Sequence, residues 1–179
     1  MKTLLALLAV GLALPFWANG QTNSLPSTMN SGQTVETIIC IRHGEKPKGG
    51  LGQLSCRGLN RALALPNVLL TKYGSPQFVF APNPTQKVDG DRYYYVRPLA
   101  TIEPTAIRCG LPVDTEFGFK EIKGLETELQ KSKYQSAMVF VAWEHVLLDD
   151  FVKDEVKAYG VDPAHVPDWP ETIMTPFLF

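Results

Sequence analysis

The chain has 179 residues, with 17 Lys and Arg against 18 Asp and Glu, and a formal net charge of −1. This length suits one domain with its own core. The balanced charge, with no basic cluster along the chain, argues against bulk binding to nucleic acid or to an anionic membrane surface.

The first twenty residues are typical of an export signal. Lys2 is followed by an apolar run over 4–17 and by small residues within 18–20, which favour cleavage before Gln21. The run is shorter than the ~20 residues that span a bilayer, although a buried or anchoring helix is the alternative. We expect a periplasmic or secreted protein, without stable membrane insertion after cleavage, made of a signal peptide (1–20), a linker or extended arm (21–35) and one domain (36–179).

After this arm, short apolar runs alternate with helical patterns. The runs predict strands at 36–41, 76–82, 93–96, 111–116 and 136–143. Helical spacing predicts helices from 55 or 56 to 73, at 98–109, at 124–133 and at 144–159, with a polar loop at 83–92. Pro66 is expected to kink or restart the first helix. The alternation predicts an α/β fold, a three-layer α/β/α sandwich with a mostly parallel central sheet.

Ligands of such sheets bind beyond the carboxyl ends of the strands. Arg42 and His43 follow the first predicted strand of the domain, and Arg97 follows the tyrosine-rich strand. Glu144 and His145 follow the strand at 136–143. Two of the chain's three histidines and two arginines are therefore predicted to meet in one pocket.

This set of side chains suits a phosphoryl group. An Arg guanidinium pairs bidentately with phosphate oxygens. A neutral imidazole can attack phosphorus and carry the phosphoryl group covalently. A second imidazole across the pocket can stabilise the equatorial oxygens. The partner predicted from these residues is a small phosphorylated substrate or phosphate.

Four segments resemble the histidine phosphatase superfamily, the phosphoglycerate mutase-like group. They are "IRHGEKP", "GQLSCRGLNRA", "RPLATIEPTA" and "VAWEHVLL", which fall in the family's order across roughly residues 37 to 150. The resemblance implies a phosphoglycerate mutase-like fold and hydrolysis of a phosphomonoester or phosphoprotein through phosphohistidine, without a metal or cofactor.

The resemblance also implies a role for each matching residue. His43 would be the nucleophile, Arg42 and Arg97 would bind the phosphate, and His145 would complete the pocket. Glu121 is the first candidate for the general acid, and Glu116 and Glu144 are the other two.

Other functions remain to be compared with this one. Trp143-Glu144 stands where the family has a small residue or Ser before the second histidine, which keeps open a non-catalytic phosphate- or phospholigand-binding module on the same fold. Neither Cys40 nor Cys56 has an Arg six residues later, as a cysteine phosphatase needs. No HExxH, CxxC or nucleotide-binding glycine motif occurs in the chain. If a disulfide forms, we expect Cys56 with Cys109. The sequence leaves the oligomeric state open.

Overall fold

The computed structural model describes residues 3–8, for which only the backbone is considered, and residues 35–168. In chain order the elements are β1 (Thr3–Leu8), β2 (Val35–Arg42), α1 (Cys56–Tyr73), β3 (Phe78–Phe80), β4 (Lys87–Val88), β5 (Tyr93–Tyr94), α2 (Arg97–Cys109), α3 (Ile122–Leu129), β6 (Met138–Trp143) and α4 (His145–Ala158). Short 3₁₀ turns cover Ser132–Tyr134 and Pro163–His165.

The central sheet is parallel. Its strands lie in the order β1-β2-β6-β3, and β6 pairs with both β2 and β3. Because side chains alternate across a strand, β6 contributes side chains to two hydrophobic cores, one on each face of the sheet. Val139 and Val141 pack with α3 and α4, whereas Phe140 and Ala142 pack with α1 and α2. The prediction of a three-layer α/β/α sandwich with a mostly parallel sheet is confirmed.

Helix α1 begins and ends where the sequence places its caps. The Ser55 hydroxyl accepts a hydrogen bond from the Gly58 backbone N–H at 3.1 Å, and Gly74 follows the last turn with a φ of 84°. Pro66 lies inside the helix without ending it, so the expected restart there is wrong. An interior proline costs about 3 kcal/mol. Burial of Ala62, Pro66 and Leu69 on one side of α1 offsets this cost.

Several other elements also differ from the predictions. The loop predicted at 83–92 contains β4, which pairs with β5 as an antiparallel ribbon. The strand predicted at 111–116 is reduced to a single bridge between Asp114 and Phe80. Helix α3 ends at Leu129, four residues before the predicted end, and the 3₁₀ turn follows it.

The N-terminal strand lies inside the predicted signal peptide. It pairs with β2 from Thr3 opposite Val35 to Leu8 opposite Cys40. Cleavage before Gln21 would therefore remove β1 from the sheet. Export stays a prediction. Among the described residues, none of the helices is long and apolar enough to cross a membrane.

The three cysteines are free thiols. Cys40 is buried in β2, Cys56 is exposed at the start of α1, and Cys109 is partly buried at the end of α2. The expected pairing of Cys56 with Cys109 is therefore absent from the structure. Burial raises the pKa of the Cys40 thiol to about 12, and the charge of Glu155 adds to this effect, so Cys40 serves as an inert core residue.

Candidate active site

The candidate site forms where β2 and β6 end side by side. Arg42 lies opposite Trp143 in the parallel register, and the His43 N–H donates a hydrogen bond to the Trp143 carbonyl at 3.2 Å. Glu144 and His145 follow directly and lead into α4. The structure therefore brings together the residues that the sequence places after these two strands.

The His43 ring is held in one orientation and is only 7% exposed. Its Nδ1 lies 2.7 Å from the Gly44 carbonyl oxygen. Because a carbonyl oxygen only accepts, Nδ1 carries the ring proton and Nε2 keeps its lone pair. Burial lowers the pKa of His43 to about 3; the hydrogen bond to Gly44 opposes this shift, and the charges of Arg97, Arg42 and His145 add to it. The imidazole is thus neutral and its Nε2 is suited to attack.

Two glycines let the loop after His43 lie against α1. A Cβ on Gly44 would come within 2.9 Å of the Gly58 carbonyl oxygen, and one on Gly58 within 2.4 Å of the Glu45 carbonyl oxygen. The Gly44 N–H also donates to the Thr101 hydroxyl at 2.9 Å, which ties the loop to α2. The backbone beside His43 is therefore fixed by two helices.

Arg61 is a positioning residue that the sequence analysis missed. Its Nη2 donates to the carbonyl oxygens of His43 at 2.8 Å and Arg42 at 3.4 Å, and its Nη1 lies 3.7 Å from Glu45 Oε1. Arg61 lies three residues after Gly58 on α1, so both share a helix face that points at the His43 loop. That spacing was the available signal.

Arg97, the first residue of α2, is 5% exposed and contacts the loops that carry Gly50 and Asp89. Its Nη1 lies 3.4 Å from Asp89 Oδ2 and 3.3 Å from the Gly50 carbonyl oxygen. Asp89 Oδ2 also accepts the Gly52 N–H at 3.1 Å. Within residues 35–168, Arg97 Nε is buried without a hydrogen-bond partner. This leaves a donor of the guanidinium for a ligand.

Arg42 and His145, two further predicted site residues, influence each other electrostatically. Burial lowers the pKa of the half-buried Arg42, and the charge of Glu144 opposes that shift. Burial also lowers the pKa of His145, and the charge of Arg42 adds to that lowering while Glu144 opposes it. His145 Nδ1 lies 2.6 Å from Glu144 Oε1, so the two side chains are in contact.

The three candidate acids lie in different surroundings. Glu144 contacts His145, and its Oε2 accepts the N–H groups of Val146 and Leu147, which caps α4. Glu121 precedes α3, and its Oε2 accepts the Gly118 N–H at 2.6 Å. Glu116 is exposed and lines a groove beside β3. Of the three, Glu144 is the carboxylate that contacts His145 and acts electrostatically on Arg42, and the acid role of Glu121 stays a prediction.

Tyr95 is a further residue of the site, although the sequence predicts only that one of three tyrosines could line it. Its ring meets the His43 ring edge-on, with centroids 6.0 Å apart and planes at 88°. The Arg97 guanidinium carbon lies 4.7 Å from the centroid of the same ring. Tyr95 thus lies between His43 and Arg97. In the described part of the chain, no group of three or more His, Cys, Asp and Glu is arranged to hold a metal ion.

Comparison with known proteins gives only distant similarities. No protein-family model and no curated protein matches the chain. A mycobacterial glucosyl-3-phosphoglycerate phosphatase solved with VO3 is 14% identical over 66% of this chain and 80% of its own, with a TM-score of 0.46. A phosphoserine phosphatase from Entamoeba histolytica, solved with 3-phosphoglyceric acid, is 14% identical over 74% and 84%, with a TM-score of 0.44. Sequence identities and TM-scores at this level do not assign a function. The function is therefore inferred from the residues of the site.

Proposed function

We propose that this chain is an exported histidine phosphatase that hydrolyses a phosphomonoester or a phosphoprotein through a phosphohistidine intermediate. One observation carries the proposal: the buried, neutral His43 keeps Nε2 free and lies within the electrostatic influence of Arg42, Arg97 and His145. Arg42, His43 and His145 lie at the ends of β2 and β6, which supports the proposal. A small phosphorylated ester is the substrate that fits this chemistry.

The reaction follows from the roles of these groups. Arg42 and Arg97 hold the phosphoryl oxygens while His43 Nε2 attacks phosphorus and the bond to the leaving oxygen breaks. The leaving oxygen takes a proton from the general acid, for which Glu121 is our first candidate. Water, giving its proton back to that carboxylate, then attacks phosphorus and the phosphorus–nitrogen bond breaks. His145, in contact with Glu144, stabilises the equatorial oxygens in both steps.

The first test is hydrolysis of p-nitrophenyl phosphate by the purified protein. We expect His43→Ala to lower kcat by at least about 10³-fold, as loss of an essential nucleophile does. His165→Ala is the matched control, because His165 is exposed in the 3₁₀ turn Pro163–His165. Activity that survives His43→Ala rejects the proposed nucleophile. A trapped phosphoenzyme should be acid-labile and should be absent from the His43→Ala variant.

The second test concerns the general acid. p-Nitrophenolate leaves without much help from an acid, whereas an alkoxide needs a proton. Glu121→Gln should therefore lower kcat on an alkyl phosphate by roughly 10²-fold and change kcat on p-nitrophenyl phosphate by less than about threefold. Glu116→Gln is the control. If Glu144→Gln shows this split and Glu121→Gln does not, the acid is Glu144.

A phosphate-binding module without turnover is the second candidate. It is favoured by the carboxylates of Glu121 and Glu144, which are both engaged in hydrogen bonds or contacts other than with a substrate. Calorimetry with inorganic phosphate, run beside a panel of phosphomonoesters, separates the two functions. Binding of phosphate without hydrolysis of any ester supports the module and contradicts the enzyme.

A further inference from the structure

The Tyr95 ring is held on several sides. It is 1% exposed, and its backbone N–H donates to the Gln86 carbonyl at 2.8 Å. Besides His43 and Arg97, the ring meets Phe119, with centroids 5.0 Å apart. The Phe119 carbonyl in turn accepts the Trp143 indole N–H at 2.9 Å, which anchors this wall to the end of β6. Such packing fixes where the Tyr95 hydroxyl points.

The proton of that hydroxyl is buried without an acceptor among residues 35–168. The Arg97 side chain hydrogen-bonds to the phenol oxygen, but a guanidinium carries only donors and cannot take the phenol proton. Burial raises the pKa of Tyr95, so the hydroxyl keeps its proton at working pH. Buried hydroxyl groups without an acceptor are rare, and one beside a candidate nucleophile calls for a ligand.

The surrounding groups indicate the charge of that ligand. Arg97 Nε is a second buried donor without a partner among the described residues. The charges of Arg42 and Arg97 both act on Tyr95. Two unused donors next to two cations and a neutral imidazole fit an oxygen-rich anion, which accepts several hydrogen bonds at once.

We propose that the Tyr95 hydroxyl is a further substrate-binding group, donating a hydrogen bond to a non-bridging oxygen of the phosphoryl group beside His43. The role rests on the proposed phosphatase or phosphate-binding function and adds one residue to it. Because the oxygens gain negative charge as the phosphoryl group is transferred, the donor contributes to binding and to turnover. Tyr95 would thus add a hydrogen-bond donor for the phosphoryl group without adding a third positive charge to the pocket.

Tyr95→Phe tests this role because it deletes the hydroxyl and keeps the ring against His43, Arg97 and Phe119. We expect the affinity for inorganic phosphate, measured by calorimetry, to fall roughly 10- to 100-fold, the range for losing one hydrogen bond to a charged group. The kcat/KM for p-nitrophenyl phosphate should fall at least as far. The melting temperature of the phosphate-free protein should change little, because the phenol proton that the variant removes has no acceptor among the described residues.

Tyr73→Phe is the matched control. The Tyr73 hydroxyl is also buried without a hydrogen-bond partner among the described residues, but it lies at the far end of α1, next to Gly74. Tyr73→Phe should change the melting temperature about as much as Tyr95→Phe does. Its affinity for phosphate should equal that of the wild type. A purely structural role for Tyr95 would not separate the two variants in this way.

The outcomes distinguish this role from the function on which it rests. If the wild-type protein neither binds phosphate nor turns over an ester, both the proposed function and the Tyr95 role are rejected. If the wild type binds phosphate and Tyr95→Phe binds it equally well, only the Tyr95 role is rejected. Should the variant fold poorly, the phenol proton of the wild type can be followed by NMR, where added phosphate must shift it downfield; an unmoved resonance overturns the role.

Discussion

His43 shows what the fold does to a single residue. Its ring is buried with one nitrogen on the Gly44 carbonyl, and its pKa is lowered to about 3. The unfolded chain, with an ordinary histidine pKa near 6.5, takes up this proton much earlier on acidification. The native state therefore loses stability as the pH falls through 6.5 toward 3, and the loss is absent above 6.5.

This linkage gives a measurable pH dependence. At pH 5 the His43 contribution should cost about 2 kcal/mol relative to pH 8, from 1.36 kcal/mol per pKa unit. Urea unfolding at the two pH values should show that His43→Asn loses less stability on acidification than the wild type by about this amount. His165→Asn should behave as the wild type. Equal acid sensitivity of His43→Asn and the wild type would contradict a buried neutral ring.

At this scale the sequence predicts the site only where a residue follows a strand. Arg42, His43 and His145 could be placed together because the carboxyl ends of adjacent parallel strands meet at one edge. Asp89 and Tyr95 could not be placed, because their contacts with Arg97 depend on how the β4–β5 ribbon folds over α2. The choice among Glu121, Glu116 and Glu144 stays a prediction, since side-chain contacts of loops depend on tertiary packing.

Among the elements, α1 and the His43 loop depend on their close approach at Gly58. Gly58→Ala would put a Cβ 2.4 Å from the Glu45 carbonyl oxygen, so the loop or the helix must shift. We expect a loss of about 2 kcal/mol in the free energy of unfolding, typical of overpacking, together with reduced kcat. Asn60→Ala, at an exposed position of the same helix, should leave both unchanged. A Gly58→Ala protein with wild-type stability and kcat would show that this contact does not position the nucleophile.

The loop that joins β4 to β5 carries Asp89, which pairs with Arg97. Asp89 and Asp91 both have positive φ, at 56° and 57°, which Asn tolerates as well as Asp does. Only Asp89 is paired with Arg97 in the interactions of the described residues. Asp89→Asn should therefore raise KM for p-nitrophenyl phosphate roughly tenfold, with a smaller effect on kcat, because Arg97 loses the ion pair that orients it.

Asp91→Asn is the control for this ribbon variant and should keep the wild-type KM. A lower KM in Asp89→Asn would mean that the carboxylate competes with phosphate for Arg97 instead of positioning it. The Asp89→Glu variant should recover part of the lost affinity if an ion pair is what Arg97 needs.

The elements themselves were largely readable from the sequence, with instructive exceptions. Strand β6 was predicted from a continuous apolar run because it is buried on both faces. Strand β4 was missed because it is two residues long and carries no periodicity, whereas β5 lies within the strand predicted at 93–96. Helix α1 runs through Pro66 because packing outweighs local propensity, which no local rule captures.

For the whole molecule, the fate of the N-terminus is the open test of export. If the predicted leader is removed, the mature protein starts at Gln21 and lacks β1, and mass spectrometry of the exported protein would show this mass. A version starting at Gln21 should then show the proposed phosphatase activity, since His43 and its partners lie in the described residues 35–168. Recovery of the intact chain from the cell interior alone would contradict export.

The site borders a chain segment whose two ends are held together. The Ser55 N–H donates to the Glu45 carbonyl at 2.7 Å, which closes residues 45–55 at their base. Within this segment Gly50 and Gly52 press against Asp89 and Tyr94, but a Cβ on Gly49 would meet nothing within 4 Å. Added residues at Gly49 would extend into solvent without pulling on His43 or Arg97. Substrate preference could thus be redesigned by insertion at Gly49, while the proposed site residues His43 and Arg97 keep their positions.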